Sequence, residues 1–354
     1  MNKAFIKPVS MAMLVLSFNV IFAQKKTNVP KEKDMAAYLM VYFKDADHSL
    51  HFALSKNGRS FTDVNNGEPV IKGDTIAEQK GIRDPYIYRA PNGMFYLALT
   101  DLHIYAQKAG YRTTEWEREK DKYGWGNNRG LVLMRSKDLV HWSHTVLRVD
   151  QAFPELADIG CAWAPELIYD DIQKKTMLYF TMRHGISKEA VYYTYMNNDF
   201  TKMETPPKLL FNYPQPAAYI DADITKTGSQ YHMFYASHNG GAHIEQAVSD
   251  AINTGYRYNA QRIDPEPRGC EAPTVYKLIG QDKWILVYDI YSIKPHNFGF
   301  SETTDFVTFK DLGHLNEGIM KATNFSIPKH PGIIQVTKKE AQRLADNWKM
   351  DITF

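Results

Sequence analysis

The sequence predicts an all-β fold: a five-bladed β-propeller that is closed by strands from both chain ends and followed by a short C-terminal helix. Two repeated motifs predict it. One opens four aromatic-rich apolar strands, and the other places Ser, Asn or Asp shortly before an aromatic residue. Each unit has room for four short strands at a period of roughly 40–50 residues, which is typical of a propeller blade.

The first motif marks the starts of four inner strands, each followed after a polar turn by an apolar strand. These starts read Arg83-Asp84-Pro85, Ala164-Pro165-Glu166, Asp221-Ala222-Asp223 and Glu271-Ala272-Pro273. Equivalent strand ends meet when repeats are arranged around an axis. We therefore expect the acidic side chains of this series to converge, and converging carboxylates are typical of glycoside hydrolysis.

The second motif occurs five times, which sets the number of blades. Its copies begin at Ser55, Ser136, Asn197, Ser249 and Ser301. The first copy has no inner strand before it, because the N-terminal region supplies only strands at residues 38–43 and 50–54. We expect residues 332–336 to provide the missing strand, so that the last blade combines both chain ends and leaves no exposed sheet edge.

A short helix is expected directly after this closing strand. Thr337 and Glu340 form the pattern of a capping box, and the helix should continue to Trp348. No second domain, linker or low-complexity segment is visible, so residues 24–354 are predicted to form one propeller domain.

Residues 1–23 have the pattern of a secretory signal peptide: two lysines, an apolar run too short to span a membrane, and Ala23. We therefore expect a secreted or periplasmic protein. Removing this segment changes the formal charge from +2 to 0, because it contains two lysines and no acidic residue. A neutral protein argues against nucleic acid or an anionic membrane as a partner.

Strand direction places most polar candidates on one face of the propeller. The starts of the inner strands, the loops between second and third strands, and the links between blades all lie on that face. Besides the four motifs above, it should hold Trp163, His330, Arg183, His184, His243, Trp116 and Trp125. The loop over residues 101–130 is long enough to suggest a functional role.

Taken together, these motifs resemble glycoside hydrolase family 43, whose members are five-bladed propellers. The resemblance rests on Asp84-Pro85, Trp163-Ala164-Pro165, Asp221-Ala222 and Glu271-Ala272-Pro273 with Tyr276-Lys277, and covers about residues 35–336. Each motif is weak alone, but all four in order at blade spacing are specific. Ala272 stands where the family usually has glycine.

The resemblance implies a role for each of three carboxylates. Asp84 would be the general base that activates water, and Glu271 the general acid that protonates the leaving oxygen. Asp221 would orient Glu271 and raise its pKa by like-charge repulsion. Inversion at the anomeric carbon would follow, with working carboxyls roughly 6.5–9.5 Å apart. The alternative is that such residues only cap strands, as Asp often does at turns.

Other candidates have less specific roles. Asp223 is expected to point the same way as Asp221, and Glu166 to contact substrate or accept a structural hydrogen bond. Trp163, Trp116 and Trp125 would stack on sugar rings or pack in the core. Arg183, His184 and His243 are candidate hydroxyl binders. The resemblance implies no required cofactor, and places a possible axial calcium ion at His330.

The substrate is the least determined part of the interpretation. A long first-blade loop favours a closed pocket, hence exo action on an oligosaccharide or polysaccharide. The protein is expected to be a monomer. Release of terminal α-L-arabinofuranosyl units from plant cell-wall polysaccharides is favoured. A β-xylosidase, a galactosidase and a non-catalytic glycan-binding propeller remain alternatives. Retaining fructan-cleaving propellers are disfavoured, because their nucleophile motif is missing here.

Overall fold

The computed structural model describes residues 29–111 and 118–354, and its strands form five sheets arranged as the blades of one propeller. The expected signal segment and Trp116 lie outside these residues. Three N-terminal strands begin the chain after a 3-10 turn at Glu32–Asp34: β1 (Met35–Phe43), β2 (His51–Ser55) and β3 (Ser60–Asp63).

Four continuous blades follow, each an antiparallel sheet of four strands in chain order. The first contains β4 (Ile82–Arg89), β5 (Phe95–Asp101), β6 (Gly130–Ser136) and β7 (Ser143–Arg148). The second contains β8 (Ile159–Asp170), β9 (Lys175–His184), β10 (Ala190–Tyr195) and β11 (Lys208–Leu209). The third contains β12 (Tyr219–Thr227), β13 (Gln230–Ser237), β14 (His243–Ser249) and β15 (Arg257–Asn259). The fourth contains β16 (Glu271–Lys277), β17 (Trp284–Ile290), β18 (Asn297–Thr303) and β19 (Lys310–His314).

The fifth blade is composite and closes the ring. Strand β20 (Lys321–Ala322) pairs with β3, and β21 (Lys329–Thr337) pairs with β1 as the inner strand. The register places Leu39 opposite Ile334 and Met40 opposite Ile333. This confirms the expectation that residues 332–336 complete the blade formed by the N-terminal strands.

Helices are few and short in the described part of the chain. Those within loops are α1 (Gly73–Ile76), α2 (Lys120–Tyr123) and α3 (Val149–Ala152), with a 3-10 turn at Pro154–Leu156. The C-terminal helix α4 (Lys338–Asn347) begins with the expected capping box, in which the Glu340 N–H donates to Thr337 Oγ1 at 3.3 Å. None of these helices has the length and apolarity needed to cross a membrane.

The second motif forms the turn between the third and fourth strands of the blades. Ser136 Oγ accepts the Leu139 N–H at 2.9 Å, and Asp138 Oδ1 accepts the His141 N–H at 2.8 Å. Thr303 and Asp305 repeat both bonds in the fourth blade. Short polar side chains are needed here because they satisfy backbone donors where no strand neighbour is present.

The hydrophobic core is divided into five large clusters, each between two neighbouring blades. Val41 of the composite blade and Leu97 of the first blade share one cluster, and both are fully buried. Burying one such side chain contributes about 1.5–3 kcal/mol. Because packing occurs around the whole ring, the inner strands stay aligned along the axis, and this alignment positions the site.

Candidate active site

The five inner strands share one local conformation at the same end of the propeller. Each has an irregularity in its pairing with the neighbouring strand and one residue with positive φ. These residues, with φ in parentheses, are Asp84 (50°), Ala164 (45°), Asp221 (53°), Ala272 (53°) and His330 (44°). A β-bulge of this kind re-aims a side chain. The backbone is therefore strained at five equivalent positions around the axis.

The residue before each of these positions lines one cleft of about 670 Å³. In blade order these residues are Arg83, Trp163, Ile220, Glu271 and Lys329. Arg183 of β9 also lines the cleft, and loops complete the wall with Asp45, Ile104, Trp125, His238, Tyr291 and His296, among others. The size and the mixed apolar and polar lining are those of a small-molecule site.

Asp84 lies just below this cleft and is held in its ionised form. Its Oδ2 accepts a hydrogen bond from Thr100 Oγ1 at 2.8 Å, and its Oδ1 lies 3.3 Å from His330 Nδ1. Burial alone would raise the pKa of Asp84, but His330, Arg83 and Thr100 outweigh burial and hold that pKa below its usual range. An ionised carboxylate at this position is suited to accept a proton.

Thr100 also ties this site to the second blade. The Ala164 N–H donates to Thr100 Oγ1 at 2.9 Å, so the hydroxyl bridges two bulges. Thr181 occupies the equivalent position on β9 and accepts the Asp221 N–H at 3.0 Å. These two bulges thus satisfy a displaced backbone N–H through the preceding blade, which fixes the direction of their side chains.

Glu271 faces the cleft, with its side chain one quarter exposed. Burial raises the pKa of Glu271; Lys329 opposes this, whereas Asp289 and Asp84 add to it. Lys329 Nζ lies 3.7 Å from Glu271 Oε1 and 2.9 Å from Asp289 Oδ2. A carboxyl group with a raised pKa keeps its proton to higher pH, as a general acid must.

Asp221 lies beside Glu271 and is nearly buried. Burial raises the pKa of Asp221 to about 8, with His330 opposing and the charges of Glu271 and Asp84 adding to the effect. The Ala272 N–H donates to the Asp221 carboxylate. The structure therefore brings Asp84, Asp221 and Glu271 within electrostatic reach of one another at one mouth of the axial channel.

Glu166 and Asp223 are almost fully buried, and neither lines the cleft. Tyr179 Oη donates to Glu166 Oε2 at 2.8 Å, and the Val275 N–H donates to Asp223 Oδ2 at 2.5 Å. Burial raises the pKa of Glu166, and it raises that of Asp223 to about 7. Their described contacts are structural hydrogen bonds rather than contacts with the cleft.

Trp163, Trp125 and Arg183 line the cleft. The Arg183 guanidinium lies 4.7 Å from the centre of the Trp163 ring, and Trp125 meets that ring edge-on at 5.9 Å. Trp163 Nε1 donates to Gly126 O at 2.9 Å. These contacts fix an aromatic wall on the side of the long first-blade loop.

Two histidines expected to bind hydroxyl groups lie away from the cleft wall. His184 Nδ1 lies 2.7 Å from Asp158 Oδ1, and His243 Nε2 lies 3.1 Å from Glu245 Oε1. Both therefore have structural partners, Asp158 directly before β8 and the buried Glu245 within β14. Within the described residues, the neighbouring loop contributes His238 to the cleft instead.

Sequence reasoning missed Lys329 and Asp289 altogether. Lys329 comes directly before His330 and is equivalent to Arg83 in the first blade, so alignment of the five inner strands would have revealed it. Asp289 follows the apolar run of β17 and pairs across the sheet with Glu271. The sequence feature that could have identified Asp289 is a carboxylate at the end of an apolar, buried strand.

The described contacts do not assemble a metal site around His330. Its Nδ1 faces Asp84, and no group of three or more His, Cys, Asp or Glu side chains suited to a metal ion occurs in residues 29–111 and 118–354. The axial calcium ion expected from the family resemblance thus stays a prediction.

The comparisons with known proteins agree with this geometry. A family model of the glycosyl hydrolase 43-related group, described as "Probable glycosyl hydrolase domain", matches residues 33–342. An α-L-arabinofuranosidase of Bifidobacterium longum is 23% identical in an alignment of 285 residues that covers 74% of this chain and 24% of that protein. The chain therefore spans about a quarter of the length of that relative.

Solved structures with the same fold include a mutant of the GH43 protein BlXynB from Bacillus licheniformis. It is 16% identical, with a TM-score of 0.54, over 86% of this chain and 56% of that one. An α-L-arabinanase of Cellvibrio cellulosa, solved with arabinohexaose, is 16% identical, with a TM-score of 0.50, over 78% of this chain and 91% of that one. At this identity the likeness establishes the propeller fold.

Proposed function

The chain belongs to the glycosyl hydrolase 43-related family, and we propose that it is an exo-acting, inverting glycosidase that releases terminal α-L-arabinofuranosyl units from plant cell-wall polysaccharides. The observation that carries the proposal is that the pKa values of two carboxyl groups of one site are shifted in opposite directions. The pKa of Asp84 is held low, whereas that of Glu271 is raised.

Asp84 acts as the general base. Its carboxylate takes a proton from a water molecule, and the water oxygen attacks the anomeric carbon on the face opposite the leaving group. His330 and Thr100 hold the carboxylate in place and keep it ionised, so that it is ready to accept the proton near neutral pH.

Glu271 acts as the general acid in the same step. Its proton moves to the glycosidic oxygen while the bond between that oxygen and the anomeric carbon breaks. Asp289 and Asp84 favour the protonated form of Glu271, and Lys329 limits that effect. Because the attacking water and the leaving group lie on opposite faces of the sugar, the anomeric configuration inverts.

The cleft walls support exo action. Trp125, Ile104 and Gly124, all from the long first-blade loop, close one side of the cleft beside Trp163. A pocket closed in this way accepts a chain end or a side branch better than the middle of a polymer. The arabinofuranosyl unit is favoured because the matched Bifidobacterium relative is named for that activity.

A screen of chromogenic glycosides tests the proposal most directly. The α-L-arabinofuranoside should be cleaved with the highest kcat/KM among arabinofuranoside, β-xyloside and galactoside. If the β-xyloside or the galactoside is preferred, the sugar is reassigned and the mechanism is kept. Cleavage of linear arabinan at internal bonds, seen as a rapid fall in viscosity, would overturn exo action.

We further propose that residues 1–23 direct export to the periplasm or the medium and are then removed. N-terminal sequencing of exported protein should find a start close to Gln24. Material that still contains residues 11–22 would contradict this proposal.

A further inference from the structure

A second cavity of about 730 Å³ lies beside the catalytic cleft on the same face of the propeller. Asp45 lines both, and it bonds to Arg83 of the cleft through Oδ1 and Nη1 at 2.8 Å. The two cavities are therefore contiguous at one ion pair. The second cavity is formed by the loops around residues 45–49, 68–80 and 103–111.

Two exposed tyrosines mark this cavity. Tyr105 is 47% exposed and Tyr111 is 51% exposed, and both line it. Within the described residues, the large aromatic side chains found exposed are these two and Trp125, and all three belong to the loop between β5 and β6. Solvent-exposed aromatic rings beside a glycosidase cleft are suited to stack on the C–H faces of sugar rings.

The tyrosine rings are held by a buried pair of histidines. The rings of His48 and His103 stack with centres 4.0 Å apart and planes 6° apart. Tyr105 meets His48 edge-on at 5.5 Å, and Tyr111 meets His103 edge-on, also at 5.5 Å. The rings are thus supported from beneath before any ligand arrives, which limits the entropy lost on binding.

Gly81 makes this support possible. A Cβ atom at position 81 would lie 2.6 Å from His103 Cβ and 2.8 Å from His48 Cβ, closer than real side chains approach. The backbone also holds the loop, because the Tyr111 N–H donates to Ala106 O at 2.9 Å and the Tyr105 N–H to His103 Nδ1 at 3.1 Å. The cavity wall is therefore fixed by packing and hydrogen bonds.

The polar groups of the cavity are nearly balanced in charge. Its carboxylates are Asp45, Asp47, Glu68 and Asp74, and its ammonium groups are Lys72, Lys80 and Lys108. Carboxylates accept hydrogen bonds from pairs of hydroxyl groups, and lysines donate to ring and hydroxyl oxygens. A balanced set of this kind suits an uncharged, hydroxyl-rich ligand better than a strongly charged one.

We propose that this second cavity is a carbohydrate-binding subsite that holds further uncharged sugar units of the oligosaccharide whose terminal unit occupies the catalytic cleft. Tyr105 and Tyr111 provide the stacking platform, and Asp45 lies at the junction. The inference rests on the proposed function, since it assigns the remainder of that substrate.

The test compares two substrates of one enzyme. α-L-Arabinofuranosyl fluoride has a leaving group too small to enter a second subsite, whereas arabinose-bearing oligosaccharides of three or more units reach it. The double variant Tyr105→Ala/Tyr111→Ala should lower the ratio of kcat/KM for oligosaccharide to that for fluoride by about five- to tenfold. Tyr105→Phe keeps the ring and should retain most of the ratio.

Ile172→Ala is the matched control, because Ile172 is exposed at the opposite end of the second blade. It should leave the ratio unchanged. An unchanged ratio in the double tyrosine variant, or an equal loss on both substrates, would overturn the subsite. If wild type prefers another sugar, the fluoride and oligosaccharides of that sugar are used.

If wild type cleaves none of these substrates, the proposed function fails but the subsite is still decided. Calorimetry then compares binding of arabino- and xylo-oligosaccharides by wild type and the double variant. Binding that weakens about five- to tenfold in the variant supports the subsite. No binding by wild type, or equal binding by both proteins, refutes it.

Discussion

His330 Nδ1 lies 3.3 Å from Asp84 Oδ1, which joins the closing strand of the ring to the first inner strand of the first continuous blade. Burial would lower the pKa of His330, but Asp84, Asp221 and Glu271 raise it above its ordinary value. A positively charged His330 in turn keeps Asp84 ionised. The ring is thus closed by an ion pair as well as by strand pairing.

Glu271→Gln should remove proton donation while keeping shape. We expect kcat/KM to fall about 10²- to 10⁴-fold on natural oligosaccharides, whose leaving groups need protonation. The loss should be much smaller on aryl glycosides with acidic phenols. Kinetics on a series of aryl glycosides measure this difference. Glu317→Gln, at an exposed carboxylate, is the control, and an equal loss on every leaving group would refute the acid role.

Asp84→Asn should impair all substrates alike, because activation of water does not depend on the leaving group. With wild type, proton NMR of the first-formed sugar should show the inverted anomer. Retention would assign a nucleophile instead of a base. Asp282→Asn, at a side chain 96% exposed, should behave as wild type in both measurements.

Asp289→Asn and Lys329→Met should shift the alkaline limb of the pH–rate profile in opposite directions. Activity is lost as Glu271 deprotonates, so the limb follows its pKa. Removing the neighbouring carboxylate Asp289 lowers that pKa and moves the limb to lower pH. Removing the cation Lys329 raises that pKa and moves the limb to higher pH. Shifts of the same sign would contradict the assignment of Glu271.

Lys329→Met should also destabilise the fold by about 3 kcal/mol, because it leaves the fully buried Asp289 without its cation. The double variant Lys329→Met/Asp289→Leu removes both charges and should regain most of that loss. Urea unfolding of the wild type and the two variants measures the effect. A double variant as unstable as the single one would show that packing, not charge, is responsible.

Ala272→Gly should leave stability unchanged or raise it by up to about 1 kcal/mol, since Ala272 has a φ of 53° that glycine adopts without strain. Ala247→Gly, in the buried centre of β14, is the matched control and should destabilise by about 1 kcal/mol. Thermal unfolding of both variants decides the point. A clear loss of stability in Ala272→Gly would mean that the methyl group contributes more than the strain costs.

The blade count and the composite fifth blade were predictable from sequence, because each blade repeats the same turn chemistry and apolar strand. Ser55, Ser136 and Thr303 each cap the same kind of turn. The convergence of Asp84, Asp221 and Glu271 also followed from strand direction, because equivalent ends of inner strands meet at the axis.

The depth of the acidic residues could not be predicted in this way. Alternation along a strand suggested that Asp223 points as Asp221 does, but the pairing shift between Ile220 and Asp223 interrupts that alternation. Asp223 and Glu166 are buried and do not line the cleft. Lys329 was missed because the closing strand was expected at residues 332–336, whereas β21 begins at Lys329.

The composite blade also determines when activity can first appear during synthesis. Asp84 is translated early, whereas its partner His330 and the strand that carries it are translated after all four continuous blades. A ribosome-bound nascent chain can pair the strands of those blades while Asp84 still lacks its partner His330. The proposed site is therefore complete only after translation has passed the closing strand, and an incompletely synthesised chain would carry Asp84 without its histidine partner.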